Sequence, residues 1–129
     1  RNLEMDTLNA RMSEGLYRTS KERREDPTLE FLYRSAGPVW YRGMVCTDEK
    51  YDPLTPEQTD ALLRRYDADR LLIGLTIFPD ISTFHDGRVI AVNVQNERNR
   101  RKNRGRAVLI EGSRISVVGN RGVKRVLEE

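Results

Sequence analysis

The sequence predicts a mixed α/β fold of the α+β kind, in which N-terminal helices are followed by a mostly antiparallel C-terminal sheet. Three observations lead there: helix-period apolar spacing and helix-start signals in the first half, a continuous apolar run from Leu71 to Ile77, and alternating apolar segments separated by turn residues from Asp86 onward. At 129 residues, with 37% hydrophobic and 33% charged content, the chain has material for one domain with a modest core. Its helical part is expected over residues 1–67 and its β-rich part over 70–127.

Leu3, Leu8, Met12 and Leu16 recur at helical spacing, with Glu4 and Asp6 near the start and Gly15 near the end, so the first element is an amphipathic helix that needs a partner. Thr19 to Thr28 is charged and contains a proline, and reads as an exposed connection to a short helix around Leu29 to Tyr33. Gly37-Pro38 breaks the chain before Val39-Trp40-Tyr41-Arg42-Gly43, and Thr47 to Asp52 reads as a polar loop. Thr55-Pro56-Glu57-Gln58 is a capping box with proline at the first helical position, which predicts a helix to about Tyr66 that buries Ala61, Leu62 and Tyr66. The run Leu71 to Ile77 is expected as a strand covered on both faces, and Arg88 to Val94 as a period-two strand after the Asp86-Gly87 turn. Arg106 to Glu111 and Arg114 to Val118 flank a Gly112-Ser113 hairpin loop, and Asn120-Arg121-Gly122 turns the chain into Val123 to Leu127. The end of the chain is thus an antiparallel meander.

Composition excludes several classes. The apolar run Leu71 to Phe78 falls far short of the roughly 20 residues of a membrane-spanning helix, so no membrane association is expected. One cysteine, Cys46, cannot close an internal disulfide, and with one histidine, His85, it cannot build a Cys/His zinc cage. The net charge of +3 is unevenly placed: residues 98–129 hold ten Lys/Arg against three Asp/Glu, and residues 1–97 hold thirteen against seventeen.

The order of the pieces Leu8-Asn9-Ala10-Arg11, Gly37-Pro38-Val39-Trp40-Tyr41-Arg42-Gly43, Ile73-Gly74-Leu75-Thr76 and Gly87-Arg88-Val89-Ile90-Ala91-Val92-Asn93 resembles the C-terminal half of a calcineurin-like metallophosphoesterase, in the bacterial branch related to Shewanella-like phosphatases and diadenosine tetraphosphatases. The resemblance implies part of a four-layer αββα sandwich, metal-dependent hydrolysis of phosphate esters, and two divalent ions of the Mn, Fe or Zn type in the intact protein, with none expected in this chain alone. Most of that family's ligand strings are absent from the sequence, so the resemblance implies a missing N-terminal half as partner, or self-association through an exposed apolar face. The family's Gly-His-Thr stands here as Gly74-Leu75-Thr76, so Leu75 occupies a ligand position with no lone pair to offer, and Asn93 stands where aspartate is usual. By resemblance Arg42 orients the substrate phosphate, with Trp40 and Tyr41 beside it.

The residues also bear plainer readings. A guanidinium holds two phosphate oxygens through parallel N–H donors, and equally stacks on an aromatic ring or pairs with a carboxylate on a surface. Trp40 and Tyr41 suit packing, since one aromatic of such a pair commonly anchors its loop. His85 reads as a solvated turn histidine and Cys46 as an inert thiol. Asn96 to Arg106 has the charge to grip nucleic-acid phosphates, yet no aromatic interleaves it, and such a run between strands is ordinarily a solvated loop, so nucleic acid is not the expected partner. Two functional alternatives therefore stand beside the phosphoesterase: a catalytically degenerate binding or scaffold protein, and an Arg-rich nucleic-acid module.

Overall fold

A computed structural model of the chain describes residues 3–122 and 124–128. It divides into two compact units, Arg1–Ala68 and Asp69–Glu129.

The first unit is helical. α1 (Met5–Leu16), α2 (Ser20–Glu25), α3 (Pro27–Tyr33) and α4 (Pro56–Arg65) carry its regular structure. The segment read as an exposed connection is helical instead. Thr19 and Glu22 form a reciprocal capping box, which satisfies two N–H groups at the start of α2 without any buried residue on that helix. Asp26 then caps α3 by accepting from the backbone N–H of Thr28 at 2.9 Å and of Leu29 at 3.1 Å, and Pro27 takes the first helical position. The α3 face so fixed buries Leu29 and Leu32 completely.

α1 packs on α3 at closest range where Gly15 faces Tyr33. A Cβ at Gly15 would stand 2.3 Å from Tyr33 Cε2, so only glycine lets the ring in. The Tyr33 hydroxyl donates to the Met12 carbonyl. Arg23 covers the other side of the ring, its guanidinium carbon 4.6 Å from the centroid, while its Nη1 donates to the Gly15 carbonyl at 3.0 Å and closes the end of α1. Arg11 joins α1 to the α3 cap through Asp26 and also pairs with Glu14. These bonds hold the Asp26 carboxyl at about 2, chiefly through the Arg11 hydrogen bond and next through the Leu29 N–H. The α4 capping box at Thr55 and Gln58 forms as its sequence dictates, but the helix buries Thr59 and Leu63 rather than Ala61, which is exposed, or Leu62 and Tyr66, which are half-buried. The Tyr66 hydroxyl instead ties α4 to the Leu3 carbonyl at 2.9 Å.

The second unit holds two three-stranded sheets. β1 (Leu71–Ile73), β2 (Ser82–Phe84) and β3 (Val89–Ala91) pair in the order β1-β3-β2, with β1 parallel and β2 antiparallel to β3. The strand expected over Leu71 to Ile77 therefore stops at Ile73. Leu75 turns to φ 65 and Thr76 N donates to the Gly74 carbonyl at 2.8 Å, a three-residue turn that ends the pairing and leaves Leu72, Leu75 and Ile77 exposed. Both-face burial belongs to β3, whose three residues are at most 1% exposed because it is the central strand. The period-two reading of that segment is corrected accordingly.

After α5 (Asn96–Arg101), a helix where an arginine-rich loop was expected, β4 (Arg106–Glu111), β5 (Arg114–Gly119) and β6 (Lys124–Glu128) form the antiparallel meander. Gly112, at φ 64, makes the β4–β5 turn that a two-residue hairpin loop needs. Val123, expected to open the last strand, lies outside the described residues. One core joins the two sheets through Ile81, Ile90 and Val94 from the first half and Ile115 and Val117 from the second. With one six-residue helix in this unit among the described residues, mixed α/β structure is present but the four-layer αββα sandwich is not supported.

Two outcomes follow from the α1–α3 junction. Glycine to alanine inside a helix ordinarily gains up to about 1 kcal/mol; at Gly15, in the last turn of α1, overpacking against Tyr33 makes Gly15→Ala a loss of about 1–3 kcal/mol by urea denaturation, relieved in a Tyr33→Ala background. The depressed Asp26 carboxyl contributes stability above its ordinary value of 3.8 and loses it as pH falls through about 2. Thermal scans across that window should fall more steeply for the native chain than for Asp26→Asn, which keeps the cap but not the Arg11 ion pair.

Candidate functional site

The break after α3 builds a concave surface in the first unit. Gly37 N–H donates to the Arg34 carbonyl at 2.8 Å, and the Gly37 carbonyl then accepts from Trp40 N at 3.1 Å and Tyr41 N at 2.9 Å. A second turn follows at once, in which the Arg42 carbonyl accepts from Val45 N at 3.1 Å and Cys46 N at 2.9 Å. Arg42 thus sits at the joint of two consecutive turns, where its backbone is fixed on both sides. The loop closes when Leu54 N donates to the Gly43 carbonyl at 3.0 Å and the Tyr41 hydroxyl donates to the Asp52 carbonyl.

Gly43 makes that closure possible. A Cβ there would lie 2.2 Å from the Tyr41 hydroxyl oxygen and 2.5 Å from the Asp52 carbonyl oxygen. Burial, and after it the nearby Asp52 charge, pushes the Tyr41 phenol above its ordinary value, so it stays a neutral donor to Asp52.

The resulting cavity has a volume of about 650 Å³. Tyr33, Trp40, Tyr41 and Tyr51 give it aromatic walls, and Arg42 and Lys50 give it two cations. Of the aromatic pair, Tyr41 is tied into the loop, whereas Trp40 is 50% exposed. Lys50 lies 4.9 Å from the Tyr51 ring centroid and pairs with Asp48 at 2.7 Å, an interaction that raises the Lys50 pKa and lowers that of Asp48. The geometry brings together Arg42, Trp40 and Tyr41, as their adjacency requires, and adds three residues that sequence reasoning missed: Tyr33, Lys50 and Tyr51. The sequence signal for the last two is Asp48, whose side chain accepts from Lys50 N at 3.1 Å and starts the 3-10 turn Glu49–Tyr51.

The remaining candidates stand elsewhere. Cys46 is half-buried and free of a disulfide. His85 and Leu75 belong to the second unit: His85 opens the β2–β3 turn at φ 52, half-buried, and Leu75 is exposed, with its carbonyl accepting from Asn93 Nδ2 at 3.1 Å. Among the described residues no group of three or more His, Cys, Asp or Glu is placed to hold a metal ion. The two divalent ions implied by the resemblance therefore find no such donor set among the described residues. No helix among the described residues is long and apolar enough to cross a membrane.

The chain is similar to solved structures of cold-active protein tyrosine phosphatase. One, determined at 1.1 Å, aligns with a TM-score of 0.80 and 23% identity over 98% of this chain and 35% of its own. Another, from a psychrophilic Shewanella species, aligns with a TM-score of 0.79 and 22% identity over 98% of this chain and 36% of its own. The chain thus spans about a third of the length of the proteins it matches, and at this identity the likeness establishes the fold. No family model and no curated protein matches. These findings correct the family expected from the sequence: the likeness is to a protein tyrosine phosphatase, not to a calcineurin-like metallophosphoesterase.

The Tyr41–Asp52 closure can be checked by titration. Phenolate absorbance should contain a late component that is absent in Tyr41→Phe, and Gly43→Ala should bring that component back toward the ordinary tyrosine range while destabilising the unit by about 1–3 kcal/mol.

Proposed function

We propose that the chain is part of a phosphatase acting on phosphate esters, and that the Arg42 cavity receives the phosphoryl end of the substrate. The observation that carries this reading is the enclosure of two cations, Arg42 and Lys50, by four aromatic side chains in one cavity. Its support from outside the cavity is the likeness to solved phosphatase structures. A guanidinium donates two parallel N–H bonds to phosphoryl oxygens, and the ammonium of Lys50 adds a point charge. Such groups serve catalysis when charge grows on the equatorial oxygens in the transition state. The exposed face of Trp40, with Tyr33 and Tyr51, offers an apolar surface to the ester's organic part, which suits an aromatic ester.

A second reading is phosphoester binding without turnover by these 129 residues, because the chain spans only about a third of the length of the phosphatases it resembles.

Binding and turnover separate in one experiment. Phosphotyrosine titrated into the chain should perturb Trp40 fluorescence, with at least tenfold weaker binding in Arg42→Ala and a partial loss in Arg42→Lys, which keeps the charge but not the bidentate fork. Equal binding by Arg42→Ala and the native chain would sink the assignment of this cavity. Assay of the same chain on p-nitrophenyl phosphate with added manganese is expected to give no robust hydrolysis; turnover there would overturn the binding-only reading and leave the cavity assignment standing.

A further inference from the structure

A second cavity of the helical unit lies against the first. It is about 780 Å³ in volume, and Tyr33 and Trp40 line both it and the Arg42 cavity, so the two share a wall. A ligand that offers only a phosphoryl group and one ring fills the first cavity and leaves the second unused.

The second cavity differs in character. Val39 is exposed beside Trp40 and extends its apolar surface. Around them stand Arg23 and Arg24 from the end of α2 and Arg34 from the cap of α3, against one carboxylate, Glu30. Glu30 is taken by Arg34 at 3.2 Å, and no carboxylate pairs with Arg23 or Arg24 among the described residues.

Arg23 is the fixed member of this group. Its guanidinium carbon lies 4.6 Å from the Tyr33 ring centroid, its Nη1 donates to the Gly15 carbonyl at 3.0 Å, and its Nη2 donates to the Ser20 hydroxyl at 3.3 Å. A cation held in this way has lost its rotamer freedom before any ligand arrives, which lowers the entropic cost of meeting an anion. Arg34 is the adaptable one, because its pair with Glu30 is largely in solvent and worth little.

Resting on the reading of the Arg42 cavity as the phosphoryl site, we infer that the cavity beside Arg23 is a second subsite of that site, which takes an acidic side chain one or two residues from the phosphorylated residue of a peptide. An extended chain advances roughly 3.3 Å per residue, so a close neighbour of the phosphorylated residue passes the indole of Trp40 and reaches the arginines. Arg24 and Arg34 pair with its carboxylate, Arg23 adds a fixed charge from the Tyr33 side, and Val39 and Trp40 carry its aliphatic stem. The substrate class is thereby a phosphopeptide with a neighbouring Asp or Glu, and a small free ester uses half of the site.

The test compares three phosphotyrosine peptides that carry Glu, Gln or Leu at the two positions on either side of the phosphotyrosine. Binding is read by fluorescence of Trp40, the chain's single tryptophan and part of both cavities. The Glu peptide should bind about fivefold or more tighter than the other two. In Arg24→Ser/Arg34→Ser that ratio should fall to about one, a readout from which any change in phosphate affinity cancels. Arg23 is left in place because it closes the end of α1. In Arg100→Ser/Arg104→Ser, which removes the same charge from the second unit, the ratio should persist. A preference for Glu that survives Arg24→Ser/Arg34→Ser would overturn the subsite, as would its equal loss in the control, which would mark attraction to net charge. A Leu peptide as tight as the Glu peptide would overturn it too, by making the subsite apolar. Failure of the underlying reading looks different: free phosphotyrosine would bind the native chain no better than Arg42→Ala, and the inference would fall with it. If free phosphotyrosine binds through Arg42 while the three peptides bind alike, the second subsite alone is lost.

Discussion

The helical unit depends on the approach of one aromatic ring to one glycine. Tyr33 ends α3, and its ring occupies the space that a side chain at Gly15 would fill, with Arg23 stacked over its other face. The same ring forms part of the wall of the Arg42 cavity. Helix packing and the cavity therefore share a residue: whatever fixes α3 fixes that wall. Asp26 does so from the far end of the helix, because its carboxylate both caps α3 and holds Arg11 of α1. The cavity's other wall is independent of this chain of contacts, since it rests on the loop closed by Tyr41, Gly43 and Asp52.

Much of the local structure was legible because short-range chemistry decides it. Thr55-Pro56-Glu57-Gln58 specifies its own helix start, and Gly112-Ser113 its own hairpin. Thr19-x-x-Glu22 carries the same capping signal as Thr55, yet it introduces a helix with no apolar face, so periodicity gave no warning of α2. Burial was less legible. Leu71 to Ile77 is a longer apolar run than Val89 to Ala91, but the latter is the buried strand because it is central in the sheet, and strand order is a long-range property.

The candidate site divides along the same line. Trp40, Tyr41 and Arg42 are contiguous, and their chemistry can be read directly. Tyr33, Lys50 and Tyr51 reach the cavity only because the chain between Gly43 and Leu54 closes on itself, and no local pattern announces that closure. The family expectation drew on short strings such as Gly74-Leu75-Thr76, whose chemical meaning depends on neighbours that strings do not contain. In the structure Leu75 is exposed, and its carbonyl accepts from the Asn93 amide.

That engagement changes what position 75 demands of evolution. A left-handed torsion costs a leucine about 1–2 kcal/mol, and the Asn93 amide is the clasp that keeps the bend shut. Selection there acts on the path of the main chain. Glycine or asparagine would relieve the bend, whereas isoleucine, close to leucine by any hydrophobicity scale, would resist it.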